Sequence, residues 1–395
     1  MDAAGPLRVV LDDRPLRRTL TGIGNYIDQL LRHAPQVAPD VEIDPFVFTH
    51  LSRRSWRETL ADRERQARRE EGSSTEPRDV RGSRVPWWVR RGIQAGYATC
   101  FRFKTRGRYD LYHEPNHVPI ASDLPTVTTI HDLSVLVHPE WHPADRVRWY
   151  EAGFARGVRQ TRRFIAASQF TKCEMVERLG VPAERIDVTY QAPRPAFGPQ
   201  TPEHVAHTRR ELDAPGSFFL YVGTLEPRKN VTGLLDAYAA LPDAIRISHP
   251  LLIAGAWGWK AEALTEKLSA RRLSKHVRLL GYLHDPQLAG LYAACTALVW
   301  PTFYEGFGLP PLEAMACGAA VIVSDTASLP EVVGDAGVLL DPNDGPAWTD
   351  AMRRAAEDDA WRSEQSTAGM QRAAAFSWER CVRETIACYR AALEV

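Results

Sequence analysis

The chain has 395 residues, 44% of them hydrophobic and 25% charged, the make-up of a soluble globular protein and the length of two domains rather than one core. Its 49 basic and 49 acidic residues cancel, so no overall field draws it to nucleic acid, and an anionic partner must be met by a local patch. No run of about 18 apolar residues predicts a membrane-spanning helix, and the first residues lack the basic-then-apolar order of a secretory leader. The cysteines (100, 173, 295, 317, 381 and 388) contain no C-x-x-C pair. They predict reduced thiols and a cytoplasmic setting, not a disulfide scaffold or a zinc site.

Leu7 to Leu11 reads as a first strand. After it, Thr21-Gly22-Ile23-Gly24-Asn25 opens a helix whose apolar residues recur at Ile23, Tyr26, Ile27, Leu30 and Leu31, the helical spacing. Glycines after a strand let a phosphate or sugar approach the backbone, although a plain tight turn fits the same residues. Residues 52–82 are dense in charge of both signs and read as a surface insertion. From Arg84 to Arg108 the character changes: Arg84, Arg90, Arg91, Arg102, Lys104, Arg106 and Arg108 alternate with Trp87, Trp88, Tyr97, Phe101 and Phe103, with no acid. Such a stretch suits an anionic membrane surface, and it equally suits an amphipathic helix packing Trp87, Ile93 and Phe101 into a core.

Asp110 to His113 and Thr126 to Ile130 read as strands, the second running into His131-Asp132-Leu133. Phe164 to Ala167 is another, with Ser168 as the cap of a helix ending at Gly180. Ile186 to Tyr190 closes this half, and the proline-rich QAPRPAFGPQTPE reads as a hinge. The second half restarts with the strand Phe218 to Val222 and the loop Gly223-Thr224-Leu225-Glu226-Pro227-Arg228-Lys229-Asn230. Two adjacent cations at a strand–loop–helix junction suit a diphosphate, and solvated surface charge is the bland alternative. Leu251 to Ala254 and Val277 to Leu280 follow, the latter closed by Gly281-Tyr282-Leu283.

The most informative stretch is WPTFYEGFGLPPLEAMACGAAVIVSD, Trp300 to Asp325. A strand, Ala297 to Trp300, ends in a loop with Glu305, Gly306, Phe307 and Gly308. Pro310 and Pro311 then predict a helix start with Glu313 in its first turn. Two carboxylates thus flank a glycine loop at the carboxyl end of a parallel strand, where open α/β sheets bind ligands. The amides of Gly306 to Leu309, at the positive end of a helix, suit an anionic or hydroxyl-rich ligand.

This glutamate pair, with seven residues between Glu305 and Glu313, resembles the paired-glutamate motif of the retaining GT-B glycosyltransferases of family 4. TGIGNY, TIHDL and GTLEPRKN resemble the same family, extending the likeness over residues 7–393. The resemblance implies an α/β chain of the GT-B fold, two Rossmann-like domains facing each other across a cleft. The domains would be residues 1–195 (acceptor side, with the insertion 52–108) and 203–376 (donor side). The helix in 377–395 would cross back onto the first domain.

It also implies a transferase that moves a hexose from a nucleoside-diphosphate sugar to a glycan or lipid-linked glycan hydroxyl. The anomeric configuration would be kept, with no metal or other cofactor, and no Asp-x-Asp motif is present. His131 would lie beside the donor sugar with Asp132 behind it. Lys229 would contact the diphosphate; many relatives carry an arginine where this chain has Thr224, and the resemblance leaves open whether Arg228 takes over its duty. Glu305 would lie near the sugar or its phosphate. It is not read as a nucleophile, because the carboxylates of glycosidases must straddle the anomeric carbon. Gly22, Gly24, Thr224, Gly306, Phe307, Gly308 and Leu309 would line the donor, Glu313 the ribose, and Tyr282 and Leu283 the base.

Likeness to polysaccharide and O-antigen mannosyltransferases points to GDP-mannose, with UDP-glucose, UDP-N-acetylglucosamine and dTDP-rhamnose left open. An acceptor at the inner face of the membrane would suit residues 84–108. Two rival classes, a sugar-nucleotide epimerase and a silent sugar-nucleotide binder, share the fold.

Overall fold

The computed structural model describes residues 5–17, 22–46, 87–259, 262–271 and 273–394; the predicted insertion at 52–82 lies outside them. The first half builds a parallel six-stranded sheet in the order β2-β1-β3-β4-β5-β6. Its strands are β1 (Leu7–Asp12), β2 (Val41–Phe46), β3 (Leu111–Glu114), β4 (Thr126–Ile130), β5 (Thr161–Ala166) and β6 (Ile186–Val188). The second half repeats the plan with β7 (Phe219–Val222), β8 (Leu251–Ala254), β9 (Val277–Gly281), β10 (Ala297–Trp300), β11 (Val321–Ser324) and β12 (Val338–Leu340). The order there is β12-β11-β10-β7-β8-β9, again all parallel. Helices cover both faces of such sheets, so inner strands are continuous apolar runs. FLYV, LLIA and ALVW in β7, β8 and β10 are accordingly buried throughout.

The last helix, Trp378–Leu393, leaves the second half and lies on the first. Trp378, Cys381, Val382, Ile386 and Tyr389 join the core of Tyr26, Leu30 and Val127. Tyr389 Oη hydrogen-bonds to His113 Nδ1 at 2.8 Å, which gives the buried tyrosine hydroxyl a partner. Cys381 and Cys388 are buried free thiols on that face.

The helix Gln169–Leu179 is bounded as its sequence predicts. Ser168 Oγ accepts from the amide of Thr171 at 3.1 Å, and Gly180 ends it in the left-handed region at φ 63°. In the basic–aromatic stretch, helix Trp87–Thr105 presents two different faces. Phe101 is fully buried against Phe46 and Tyr112, whereas Phe103 is 86% exposed and flanked by exposed Arg102, Arg106 and Arg108.

Two expectations need correction, and one strand was not expected. Glu313 lies beyond the first turn of its helix, because the helix starts at Leu309, a residue ahead of the prolines. Gly22 and Gly24 belong to the helix Gly22–Val37 itself, so they open it rather than form a loop before it. The strand β2 has no counterpart in the reading above. Val-Glu-Ile-Asp-Pro-Phe alternates like a half-exposed edge strand, and its proline is tolerated at a sheet edge.

Candidate active site

The carboxyl ends of the two sheets meet. The loop after β10 reaches the loop after β4 so closely that a Cβ on Gly306 would sit 1.7 Å from the carbonyl oxygen of His131 and 2.8 Å from Asp132 Cβ. Only glycine permits that approach. Thr171 Oγ1 donates to the Gly306 carbonyl at 3.3 Å, and the Leu133 amide donates to Tyr304 Oη at 3.1 Å. A Cβ on Gly22 would lie 3.8 Å from Leu309, so the start of the first helix also faces this loop.

Within the second domain the loop is held from below. Ser328 Oγ donates to the carbonyls of Glu305 at 2.9 Å and Phe307 at 2.8 Å. Gly308, at φ 111°, is the N-cap of helix Leu309–Ala316, and no side chain caps it. Pro310 and Pro311 carry no N–H and the Leu312 amide donates to the Gly308 carbonyl at 3.3 Å, so at this helix start it is the Leu309 amide that lacks both an intrahelical acceptor and a capping side chain.

Beside this helix start lies a cluster of buried charge. Lys229 Nζ donates to Glu305 Oε1, and Arg228 Nη1 lies 3.4 Å from Glu305 Oε2. Arg228 also pairs with Glu226, donates to the Tyr304 carbonyl at 3.1 Å and lies 4.0 Å from Asp132 across the cleft. Lys229 sits over the Trp300 ring at 4.7 Å, and Thr302 Oγ1 donates to Glu305 Oε1 at 3.1 Å. Lys229 and Glu305 are each 7% exposed. Burial pulls the Lys229 pKa below its ordinary value and Arg228 adds to this, with Glu305 and Glu226 opposing. Burial pushes Asp132 up, but Arg228, His117 and hydrogen bonds from Ser134 outweigh it and keep its carboxyl below the usual range.

His131 turns its ring inward. Nε2 meets the Pro115 carbonyl at 2.9 Å and Nδ1 meets Gln191 Nε2 at 3.3 Å. That pattern makes Nε2 the protonated nitrogen, and burial lowers the ring's pKa, so the ring is neutral. Its backbone is held as well: the amide donates to His117 Nε2 at 2.9 Å and the carbonyl accepts from Thr171 Oγ1 at 3.4 Å.

Glu313 is held differently. It is 3% exposed and Arg194 Nε donates to its Oε1 at 2.9 Å. The same guanidinium pairs with Asp285, near Tyr282, whose ring is 49% exposed. Burial raises the Glu313 pKa, and Arg194 opposes that.

The structure thus brings together Gly22, His131, Arg228, Lys229, Glu305, Gly306 and Leu309. Phe307 is buried beneath them against Tyr190 and Phe376, and Gly24 is buried in its helix. Thr224 is exposed and takes no part in the charge cluster. Tyr282 and Leu283 belong to the Glu313 end. Sequence reasoning missed Arg194, Glu226, Asp285 and Tyr304. The one signal for Arg194 was a lone cation between Pro193 and Pro195 in the predicted hinge.

Comparison with known proteins agrees with this architecture. Residues 206–372 match the family described as glycosyl transferases group 1, and residues 20–192 match glycosyltransferase family 4. The chain is 40% identical over 282 residues to the O-antigen chain mannosyltransferase B of Escherichia coli, covering 71% of this chain and 74% of that one. It is 31% identical over 269 residues to the serotype-specific mannosyltransferase WbdA of Escherichia coli, spanning 65% of this chain but only 32% of that longer protein. The structure of Anabaena Alr3699/HepE, solved in complex with UDP and glucose, superposes with a TM-score of 0.70 over 98% of this chain and 99% of that one, at 18% identity. At that identity the likeness speaks for the shared fold, two Rossmann-like domains across a cleft.

Proposed function

The chain belongs to the glycosyltransferases of family 4, and on that footing we propose that it transfers mannose from GDP-mannose to a hydroxyl of a glycan or lipid-linked glycan in O-antigen or related polysaccharide synthesis. The reaction is read as retaining and independent of metal. The observation that carries this reading is the pair of cations, half-buried Arg228 and buried Lys229, gathered around Glu305 beside the uncapped helix start at Gly308. The mannosyltransferase named above supports the choice of sugar.

In the proposed step the bond between the anomeric carbon and the diphosphate breaks with its electrons remaining on the phosphate oxygen. The acceptor oxygen bonds to the same face of the sugar, and its proton passes to the departing diphosphate. Charge therefore grows on the leaving group. Fixed cations and amides stabilise it because they are oriented before the reaction starts, and a poorly solvated site magnifies them. Glu305 balances Arg228 and Lys229 and keeps them in place. Glu313 accepts hydrogen bonds from the ribose hydroxyls, and Tyr282 and Leu283 flank the base. The backbone of His131, pressed on Gly306, closes the cleft over the sugar, with its neutral ring in a positioning role.

Exposed Phe103 among Arg102, Arg106 and Arg108 would rest on an anionic leaflet that presents a lipid-linked acceptor. Among the described residues no helix is long and apolar enough to cross a membrane, so contact would be peripheral.

The test is incubation with GDP-mannose, UDP-glucose, UDP-N-acetylglucosamine or dTDP-rhamnose and a mannose-ended, lipid-linked acceptor, with and without chelator. Hexose gain from GDP-mannose alone, an α-linkage by NMR and indifference to chelator are expected. An epimerised free nucleotide sugar, or binding with neither transfer nor hydrolysis, would overturn the reading.

A further inference from the structure

Glu313 poses a physical problem that the second domain does not solve alone. At 3% exposure, a carboxylate loses its hydration and tends to take up a proton. A protonated Glu313 would give one oxygen away as a donor and weaken its hold on two vicinal hydroxyls. The groups facing it are few. Asp285 and Tyr292 come from the helix Asp285–Ala294, Cys317 follows its own helix, and Arg194 comes from the segment joining the two domains. Burial holds the Tyr292 hydroxyl and Cys317 thiol far up, so both stay neutral. Asp285 works against ionisation, and Arg194 is the cation that favours it.

Arg194 is also fixed in place. Its guanidinium lies over the Phe197 ring at 4.6 Å, and Phe197 packs edge-on to Tyr292. The preceding carbonyl, of Pro193, accepts from Trp378 Nε1 at 3.0 Å, tying the segment to the start of the crossing helix. On the same segment Gln191 reaches the His131 ring. One short stretch of chain therefore touches the sugar-side histidine through Gln191 and the ribose-side glutamate through Arg194.

We propose that Arg194 is the positioning residue for Glu313: from the interdomain connection it keeps this carboxylate ionised and aimed at the donor's ribose, and so sets donor affinity. The proposal rests on the ribose role given to Glu313 above. An arginine is suited to the task because it stays charged at any working pH and fixes a carboxylate directionally.

The test is the pH profile of donor KM and kcat for the full chain, wild type, R194M, R194Q and R194K, between about pH 6 and 9. Without the cation only influences that raise the Glu313 pKa remain, so the ribose-binding carboxylate is present above that pKa and lost as pH falls through it. R194M and R194Q should show a donor KM that climbs about tenfold per pH unit on the acid side, while kcat at saturating donor holds. R194K, which keeps the charge, should restore a flat profile. A structural tether would behave otherwise, raising KM by one factor at every pH or lowering kcat with a lower melting temperature, and either result overturns the proposal. E313A separates the two levels. If E313A leaves donor KM unchanged, the ribose reading fails and this inference with it. If E313A raises KM while R194M and R194Q stay flat across pH, this inference alone fails.

Discussion

The two ends of the cleft solve one problem, a buried carboxylate, in two ways. At the end proposed to hold the diphosphate, Glu305 is paired with Arg228 and Lys229, all from the second domain. At the end proposed to hold the ribose, Glu313 is paired with Arg194, which arrives from the connection between domains. The first arrangement is complete whenever the second domain is folded. The second depends on where the connecting chain lies, so under the proposed roles it would tie donor binding to the relation between domains. The difference teaches where rigidity is placed. Under the proposed roles, charge that meets the leaving group is preset within one domain, and charge that meets the part of the donor distant from the chemistry is left to the connection.

The strongest way to break this contrast is at the diphosphate end. Lys229→Ala should lower kcat about 10²- to 10³-fold, the range for losing one preorganised group at developing charge, with donor KM changed far less. A loss confined to KM would show Lys229 binding the ground state only. At the ribose end the pattern should invert. Glu313→Ala should raise donor KM about 10- to 100-fold, the worth of about 1.5–3 kcal/mol for charged hydrogen bonds, and leave kcat at saturation close to wild type. Steady-state kinetics with donor varied at fixed acceptor decides both.

A third change tests whether the two ends need the domains pressed together. Gly306→Ala would place a methyl 1.7 Å from the His131 carbonyl, backbone against backbone. The loops must separate, at a cost of about 1–3 kcal/mol by analogy with overpacking. Gly216→Ala is the matched control, since its methyl would meet no atom within 4 Å. Loss of kcat/KM in the first and not the second is expected. Equal effects would mean that the contact between loops carries no part of the activity.

How far the sequence revealed the two ends follows from how each is built. The diphosphate end is local: Arg228 and Lys229 are neighbours, Glu305 and the glycines lie in one loop, and strand–loop–helix patterning places both loops on the same sheet edge. Parallel strands buried on both faces leave apolar runs that can be read directly, as in β8 and β10. The ribose end is not local. Arg194 meets Glu313 and Asp285 only through tertiary packing, and nothing in a proline-flanked arginine announces a carboxylate partner. Glu313 was found through its motif and its turn was misjudged, because the helix begins one residue before the prolines that signal it. The edge strand β2 was missed for a related reason: an alternating segment with a proline has little local signal apart from the neighbour it pairs with.

The smallest expected effect concerns a contact away from both ends, where Glu331 of the second domain reaches the helix Gln169–Leu179 of the first. Its Oε1 accepts from the Gln169 amide at 2.7 Å and its Oε2 from the Phe170 amide at 3.2 Å, while Tyr190 Oη also donates to it. The next amide, Thr171, is satisfied inside the first domain by Ser168. One helix start is thus capped half by its own domain and half by the other. Glu331→Ala leaves the Ser168 cap untouched, so the first domain keeps its stability and only the closed arrangement weakens. About 1 kcal/mol is expected, the net worth of a typical hydrogen bond, appearing as a several-fold loss in kcat/KM. Ser168→Ala should instead cost about 1 kcal/mol of first-domain stability. Amide exchange separates them: Glu331→Ala should speed exchange at Gln169 and Phe170 and spare Thr171. Matching acceleration at all three amides would mean that Glu331 holds the helix itself rather than the closure of the two domains.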